Sequence, residues 1–200
     1  MILAFDGSSI DGAGYRDMVR LAQHSPGGLD DLVSFWSTYG LALFAVLAAL
    51  GWWRARQAGA TAAVTALAVP AIVVVAYGVD AVVKLVVRED RPCESLQVKV
   101  LEACPAPSDW SFPSNHAAIA AATAVALLFV SRRLGAVGAA AALVMAASRV
   151  WVGAHYPHDV AAGITVGALI ALLSMTLVRR RSETLARWIT SGRLRPLLIP

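Results

Sequence analysis

Five long apolar stretches constrain this chain more than any other feature of its sequence. A transmembrane helix needs roughly 17 to 25 mostly apolar residues, and the third and fourth stretches reach that length only with their polar flanks. Of the 200 residues, 58% are hydrophobic and 15% are charged, which is more apolar surface than a soluble domain of this size can bury. The sequence therefore predicts an all-α, polytopic membrane helix bundle. The five predicted spans are Leu32–Trp53, Thr61–Val83, His116–Val130, Ala136–Val152 and Val160–Val178.

Arginine clusters predict the orientation of these spans. They follow the first, third and fifth spans, so alternation places them on one side of the membrane, which the positive-inside rule makes cytoplasmic. The net charge of +4 is therefore attributed to arginines on the cytoplasmic side of the membrane, and no nucleic-acid partner is expected. We expect one domain over residues 1–200, with an outer interfacial segment (1–30), a transmembrane bundle (32–178) and a cytoplasmic basic tail (179–200). The clusters are Arg54 with Arg56, Arg132 with Arg133, and Arg179–Arg181.

Apolar residues at helical spacing predict an amphipathic helix before the first span. Tyr15, Met18, Val19 and Ala22 repeat with charged residues between them, which is typical of a helix lying on a membrane surface. We expect such a helix on the outer leaflet. A helix packed against the bundle would show the same pattern, and the sequence leaves that alternative open.

The first of three polar segments at the outer ends of the spans is basic. Lys84, Arg88 and Arg91 follow one another at spacings of four and three, so one helical face can carry all three. Pro92 then marks the helix end or a turn. Asp80, one turn before Lys84, is expected to pair with it, because an unpaired carboxylate near the membrane edge is costly; an exposed interfacial charge is the alternative.

The other two polar segments each contain a histidine. Ser114 precedes His116 at the start of the third span, where a serine is a good N-cap and free backbone N–H groups bind anions. His155 and Asp159 lie four residues apart, so that on a helical turn the carboxylate can reach the imidazole. Arg149 adds another cation at the same membrane face.

Together these groups predict an anion site. Four cations without matching carboxylates would repel one another in a partly desolvated site, and a phosphate that accepts hydrogen bonds from all of them removes the repulsion. A metal site is the competing interpretation, since His116, His155, His158 and Asp159 are plausible ligands. It is disfavoured because a divalent cation would lie among the basic side chains.

The three segments resemble the signature motifs of the phosphatidic acid phosphatase type 2 superfamily. The matching stretches are Lys84–Pro92, Pro113–His116 and Ser148–Asp159, in the order, spacing and topology of that family. Asn115 stands where many members have glycine. The layout and length also resemble the bacitracin-resistance type undecaprenyl-pyrophosphate phosphatases. The resemblance thus implies a membrane-embedded lipid phosphatase.

The resemblance also implies a role for each motif residue. His155 attacks phosphorus as a neutral imidazole and forms a phosphohistidine, while Asp159 fixes its tautomer. His116 protonates the departing oxygen and then activates water. Neither a metal nor another cofactor is expected, because the fixed basic side chains take the place of a metal ion. The residues implied to bind the phosphate are Lys84, Arg91, Ser114, Asn115 and Arg149.

The expected substrate is undecaprenyl pyrophosphate, hydrolysed to undecaprenyl phosphate at the extracytoplasmic face of the cell membrane. Phosphatidic acid, phosphatidylglycerol phosphate and other polyprenyl phosphates are alternatives, because the motifs recognise phosphate rather than the lipid tail. The superfamily also includes soluble haloperoxidases, but the five predicted spans argue against that class for this chain. A non-enzymatic anion channel or transporter is the alternative outside this class, but the last three spans carry almost no midplane polar residues. The expected partners are the lipid substrate and the bilayer, without an obligatory protein partner.

Three further residues carry predictions. Cys93 and Cys104 bracket the loop between the second and third spans and face an oxidising space on this topology, where disulfides persist. We expect a disulfide, with two free buried thiols as the alternative. His158 is expected to lie on the rim of the site, because its neighbour in sequence, Asp159, already serves His155.

Overall fold

The computed structural model describes residues 5–106 and 108–199, and they are almost entirely helical. Within those residues, extended pairing is limited to one isolated bridge between Phe5 and Glu89. The predicted all-α class is therefore confirmed. The helices are α1 (Ser8–Gln23), α2 (Gly27–Tyr39), α3 (Leu41–Ala58), α4 (Ala60–Val87), α5 (Pro92–Ser95), α6 (Asn115–Val130), α7 (Arg132–Trp151) and α8 (Pro157–Thr190), followed by a 3-10 turn at Arg195–Leu197.

Five helical units correspond to the five predicted spans. Helices α4, α7 and α8 are each long and apolar enough to cross a membrane, and α2 with α3 form one such unit bent by 52°. Helix α6 is shorter, at 16 residues, but apolar. Helix α8 runs to Thr190 instead of ending at Val178, and its 34 residues span about 51 Å at 1.5 Å per residue. Because the hydrocarbon core is only about 30 Å thick, the last turns of α8 extend beyond it.

Helix α6 lies at the centre of the bundle. Nine of its 16 residues are buried, and seven of those nine are alanine. Small residues let helix backbones approach closely: at Gly163 and Gly167 of α8, an added side chain would overlap the carbonyl oxygens of Ser114 and Ala118. The N–H of Ser114 donates to the carbonyl of Asp159 at 3.0 Å. The second and third motifs are thus held together by backbone contact.

Helix α1 is present as predicted, but it packs on the bundle rather than lying free on the outer leaflet. Tyr15, Val19 and Ala22 are buried, and the apolar cluster that contains Tyr15 and Val19 includes side chains from α7 and α8. The Tyr15 hydroxyl donates to the carbonyl of Gly153 at 3.0 Å, and its ring lies 5.4 Å from that of Tyr156. The apolar face of α1 is therefore buried against the other helices, which is the alternative that the sequence left open.

The opposite end of the bundle collects the arginine clusters of α3, α7 and α8. The segment predicted as a basic tail begins as the last turns of α8 and then folds back. The Trp52 indole donates to the carbonyl of Leu197 at 2.9 Å, and Arg56 donates to the carbonyl of Ile199 at 3.1 Å. The end of the described chain is therefore packed against α3.

The loop between α4 and α6 is closed by a disulfide. Cys93 and Cys104 are joined, with their Cα atoms 5.9 Å apart, so the expected pairing is present and the free-thiol alternative is not. Arg91 stands two residues before the bridged loop and Ser114 ten residues after it. The bridge therefore restrains the connection between the first and second motifs.

Opening this bridge is expected to lower stability and to weaken substrate binding more than turnover. A loop of this length contributes about 3 kcal/mol in the chain-entropy model, and it positions Arg91, whereas His155 comes from another loop. The measurement is the melting temperature, KM and kcat of a Cys93→Ser, Cys104→Ser double variant, and of the natural protein with dithiothreitol. Dithiothreitol must leave the double variant unchanged. Equal melting temperatures and equal KM values would contradict the prediction.

Candidate active site

A cavity of about 320 Å³ opens where α4 and α7 end and α6 begins, beside the loop that precedes α8. Six of the eight residues predicted for the site line it, and the other two, Ser114 and Asp159, are fully buried beside lining residues. The cavity lining comprises Tyr77, Lys84, Arg91, Pro105, Asp109, Asn115, His116, Ile119, Arg149 and His155.

A sharp turn after α7 presents His155 to the cavity. Gly153 has a φ of +86°, which side chains with a Cβ rarely adopt. The N–H groups of Ala154 and His155 both donate to the carbonyl of Arg149, at 3.0 and 3.2 Å. The turn brings Nε2 of His155 to 3.1 Å from Nη1 of Arg91. Because a guanidinium can only donate, Nε2 accepts and carries a lone pair.

The other ring nitrogen of His155 faces a carboxylate and a serine. Nδ1 is 3.4 Å from Oδ2 of Asp159 and 3.4 Å from Oγ of Ser111. The Ser111 hydroxyl donates to the same Oδ2 at 2.5 Å, and the N–H of Tyr156 donates to it at 2.8 Å. A proton on Nδ1 therefore points at a fixed carboxylate and leaves Nε2 unprotonated. Sequence reasoning missed Ser111, because nothing distinguishes it from other loop serines.

The surroundings of His155 also keep its ring neutral. Burial, followed by the positive charges of Arg91, Arg149 and Lys84, holds the pKa of His155 well below its ordinary value. Both causes disfavour the imidazolium. The neutral form with its nucleophilic lone pair is consequently favoured.

The two arginines of the cavity are already paired, contrary to the expectation of unmatched cations. Nη2 of Arg91 lies 3.1 Å from Oδ1 of Asp109. Nη1 of Arg149 lies 3.1 Å from Oε2 of Glu102 and also donates to the hydroxyl of Ser37. Both carboxylates come from the loop between α4 and α6, whose folding the sequence does not reveal. They occupy guanidinium groups that a bound phosphate would use.

Lys84 is held by the same loop. Its ammonium donates to the carbonyl of Trp110 at 2.6 Å, with the carbonyl of Ser111 at 3.5 Å. Asp80 is fully buried, and neither of its carboxylate oxygens accepts a hydrogen bond from a described residue. The expected ion pair between Asp80 and Lys84 is absent from the described part of the chain, because the ammonium turns towards the loop carbonyls at the helix end.

Arg88 is not a lining residue of this cavity. Helix α4 ends at Val87, and Arg88 has a positive φ of 52°, so the prediction that one helical face carries Lys84, Arg88 and Arg91 is wrong. The Arg88 guanidinium bonds back to the carbonyl of Leu85 at 2.9 Å. Arg91 instead enters the cavity from the loop.

The start of α6 offers hydrogen-bonding groups that are not yet used. Ser114 takes the N-cap position, as predicted, but its side chain makes no capping bond. The Ser114 Oγ and the Asn115 Oδ1 are buried without a hydrogen-bonding partner among the described residues. Buried polar atoms normally have partners, and the first N–H groups of a helix attract anions. The helix start beside His116 is therefore suited to receive phosphate oxygens.

The four residues of the metal alternative do not form one ligand group among the described residues. His116 and His155 line the cavity, whereas ligand atoms of His158 and Asp159 group with Glu89, within 4.8 Å of one another. The His158 side chain is only 16% exposed, next to Asp159, and does not line the cavity, so its prediction as a rim residue is wrong. It acquires partners from the N-terminal segment, which lies far from it in sequence.

Comparisons with known proteins find similar chains among membrane phosphatases. The PAP2 superfamily model matches residues 62–183. Undecaprenyl-diphosphatase BcrC of Bacillus subtilis (strain 168) is 31% identical over 154 residues, which is 75% of each chain. Decaprenylphosphoryl-5-phosphoribose phosphatase of Mycobacterium tuberculosis is 37% identical over 102 residues, 50% of this chain and 53% of that one.

A solved structure supports the fold. The crystal structure of the transmembrane PAP2 type phosphatidylglycerolphosphate phosphatase from Bacillus subtilis superposes with a TM-score of 0.54 at 20% identity. The match covers 84% of this chain and 86% of that one. The predicted multi-pass membrane bundle is thereby confirmed.

Neutralising the loop carboxylates is expected to strengthen phosphate binding. Asp109→Asn or Glu102→Gln removes an anion that competes with phosphate for Arg91 or Arg149, and we expect the dissociation constant for inorganic phosphate to fall about fivefold, roughly 1 kcal/mol. Calorimetric titration measures it. Glu94→Gln, at an exposed carboxylate of the same loop, is the matched control and should bind as the natural protein does. Unchanged or weaker binding in both variants would show that the carboxylates do not compete.

Proposed function

Since the chain belongs to the PAP2 superfamily, we propose that its cavity hydrolyses undecaprenyl pyrophosphate to undecaprenyl phosphate and inorganic phosphate. The protein is a membrane-embedded lipid phosphatase, and we take residues 1–200 as one phosphatase domain. The observation that carries the proposal is the placement of His155, whose Nε2 accepts from Arg91 and whose Nδ1 is directed at Asp159, beside three cations. This is the arrangement that nucleophilic attack on a phosphate requires.

In the first step, Nε2 of His155 attacks the terminal phosphorus. The N–P bond forms as the bridging P–O bond breaks, and His116 donates a proton to the departing undecaprenyl phosphate. The ring becomes positively charged, and Asp159 stabilises that charge through the proton on Nδ1. Arg91, which donates to Nε2 before substrate binds, turns to the phosphate oxygens.

In the second step, water hydrolyses the phosphohistidine. His116, now unprotonated, accepts a proton from the water, whose oxygen forms a bond to phosphorus as the N–P bond breaks. Inorganic phosphate leaves, and His155 returns to its neutral form. In both steps the fixed cations and the N–H groups of α6 stabilise the charge on the equatorial oxygens, so the proposed mechanism includes neither metal nor cofactor. The residues proposed to bind the phosphate are Lys84, Arg91, Ser114, Asn115 and Arg149.

The shape of the cavity supports a lipid substrate. Besides the charged residues, it is lined by Tyr77, two turns before Lys84 on α4, and by Ile119, one turn into α6. Tyr77 is 46% exposed on the apolar side of the bundle. The cavity of about 320 Å³ is far too small for a polyprenyl tail, so the headgroup enters it while the tail stays in the bilayer.

The alternatives differ in the lipid tail. Phosphatidic acid and phosphatidylglycerol phosphate present a similar terminal phosphate, which the same cations would bind. Undecaprenyl pyrophosphate is preferred because the similarity to the undecaprenyl-diphosphatase extends over three quarters of both chains. The likeness to the phosphatidylglycerolphosphate phosphatase supports the fold alone.

Phosphate release from a panel of purified lipids tests the proposal. We expect undecaprenyl pyrophosphate to give the highest kcat/KM, and EDTA to leave the rate unchanged, because fixed cations hold the phosphate. His155→Ala should reduce the rate to background, and His116→Ala should slow it strongly and accumulate phosphoenzyme on substrates with good leaving groups. Full activity in His155→Ala would disprove the mechanism. A higher kcat/KM for phosphatidylglycerol phosphate would identify that lipid, rather than undecaprenyl pyrophosphate, as the substrate.

The site is proposed to face the outside of the cell membrane, because the arginine clusters lie at the other end of the bundle. In a background without Cys93 and Cys104, Lys99→Cys should react with a membrane-impermeant thiol reagent on intact cells, while Ser191→Cys should be protected. Both should react after the membrane is permeabilised, which is the control. The reverse labelling would place the site in the cytoplasm.

A further inference from the structure

His158 joins three carboxylates from separate parts of the chain. Its Nδ1 is 2.7 Å from Oδ1 of Asp11, and its backbone N–H donates to Oδ2 of Asp11 at 2.7 Å. Its Nε2 is 2.9 Å from Oε1 of Glu89 and 3.4 Å from Oδ1 of Asp159. Nothing in the proposed mechanism uses His158, although it stands next to the residue that holds the nucleophile.

The geometry determines the charge of this ring. Both nitrogens face carboxylate oxygens at hydrogen-bonding distance, so both donate and the ring is an imidazolium. Glu89 and Asp159 are 1% and 0% exposed, and two buried carboxylates this close repel each other unless a cation lies between them. Because both ring nitrogens are already bonded to carboxylates, His158 has no lone pair to offer a metal ion.

The two oxygens of Asp159 have different neighbours. Oδ2 accepts from Ser111 and from the N–H of Tyr156 and faces His155. Oδ1 accepts no hydrogen bond from a described residue, and the imidazolium of His158 is its charged neighbour. The charge and the orientation of this carboxylate therefore depend on His158.

The ring of His158 is itself firmly placed. It stacks on Tyr156 at 5.4 Å and 15°, and the ring of Phe112 lies 6.0 Å away. Helix α1 departs from helical geometry at Asp11, with a φ of −145°, where that side chain reaches His158. Phe5 pairs with the backbone on both sides of Glu89. The N-terminal segment thus holds two of the three carboxylates around this ring.

We propose that His158 is a positioning residue for the phosphatase reaction: its imidazolium, anchored by Asp11 and Glu89, keeps Asp159 ionised and directed at His155. The N-terminal segment thereby acts on the nucleophile without touching the substrate. This inference rests on the function proposed above, in which His155 and Asp159 form the catalytic pair.

Two neutral substitutions separate positioning from packing. His158→Asn places its amide nitrogen near the position of Nδ1 and keeps the bond to Asp11, whereas His158→Gln reaches the position of Nε2 and keeps a donor towards Glu89 and Asp159. We expect kcat to fall on the order of tenfold to a hundredfold in His158→Asn and less in His158→Gln, with KM within about twofold, as for outer partners of catalytic ligands.

The rate of phosphoenzyme formation, measured by rapid quench, should fall by the same factors as kcat, because the lost interaction stabilises charge on His155 in that step. His24→Asn is the matched control, since His24 is exposed and its ring bonds only to the carbonyl of Arg20 among the described residues. The assay uses the lipid phosphate that the natural protein turns over fastest, so it does not depend on which lipid that is.

Natural kcat in His158→Asn would overturn the proposal, as would equal losses in the Asn and Gln variants that track the melting temperature. If His158→Asn does not fold, Asp11→Asn decides: it removes the anchoring charge at constant size, so kcat should fall at constant KM, and an unchanged kcat refutes the idea. An active His155→Ala protein would instead refute the proposed function. An inactive His155→Ala beside a fully active His158→Asn would refute only this inference.

Discussion

The close approach of α6 and α8 is the contact on which the rest of the site depends. Glycines of α8 face backbone atoms of α6, and the N–H of Ser114 reaches the carbonyl of Asp159. This contact fixes the start of one helix against the start of the other, so that His116 and the His155 pair share one cavity although about forty residues separate them in sequence. In the bilayer, where apolar surfaces gain little by associating, such packing of small residues is what stabilises a bundle.

Charge balance shapes the remainder of the site. Three cations in a partly buried cavity would destabilise the empty protein, and the loop between α4 and α6 compensates them with Asp109, Glu102 and the carbonyl of Trp110. Behind the nucleophile the signs are reversed, since two buried carboxylates share one imidazolium at His158. Charges of opposite sign thus balance each other on both sides of His155. A bound phosphate could take the place of the balancing carboxylates on the cavity side only.

The sequence predicts the parts of this structure that depend on local pattern. The positions of the spans follow from the lengths of the apolar stretches. The motif residues come together because they lie at helix ends on the same side of the bundle. Contacts made by irregular segments could not be predicted: Glu102 and Asp109 reach the arginines only through the folded loop, and Ser111 has no distinguishing context. Arg88 was misplaced because α4 ends at Val87, and His158 because its partner Asp11 lies 147 residues away. Long-range pairing decided the loop contacts and the position of His158, whereas the local end of α4 decided that of Arg88.

The apolar lining of the cavity at Tyr77 and Ile119 has a consequence for how the proposed reaction would proceed in a cell. The lipid reaches the cations by diffusing within one leaflet, so the relevant concentration is its mole fraction among membrane lipids rather than its amount per volume of water. The two products then part into different phases, the shortened lipid into the leaflet and orthophosphate into the aqueous space. Recombination would require both to return to one small cavity at once, so the separation of the products slows the reverse reaction.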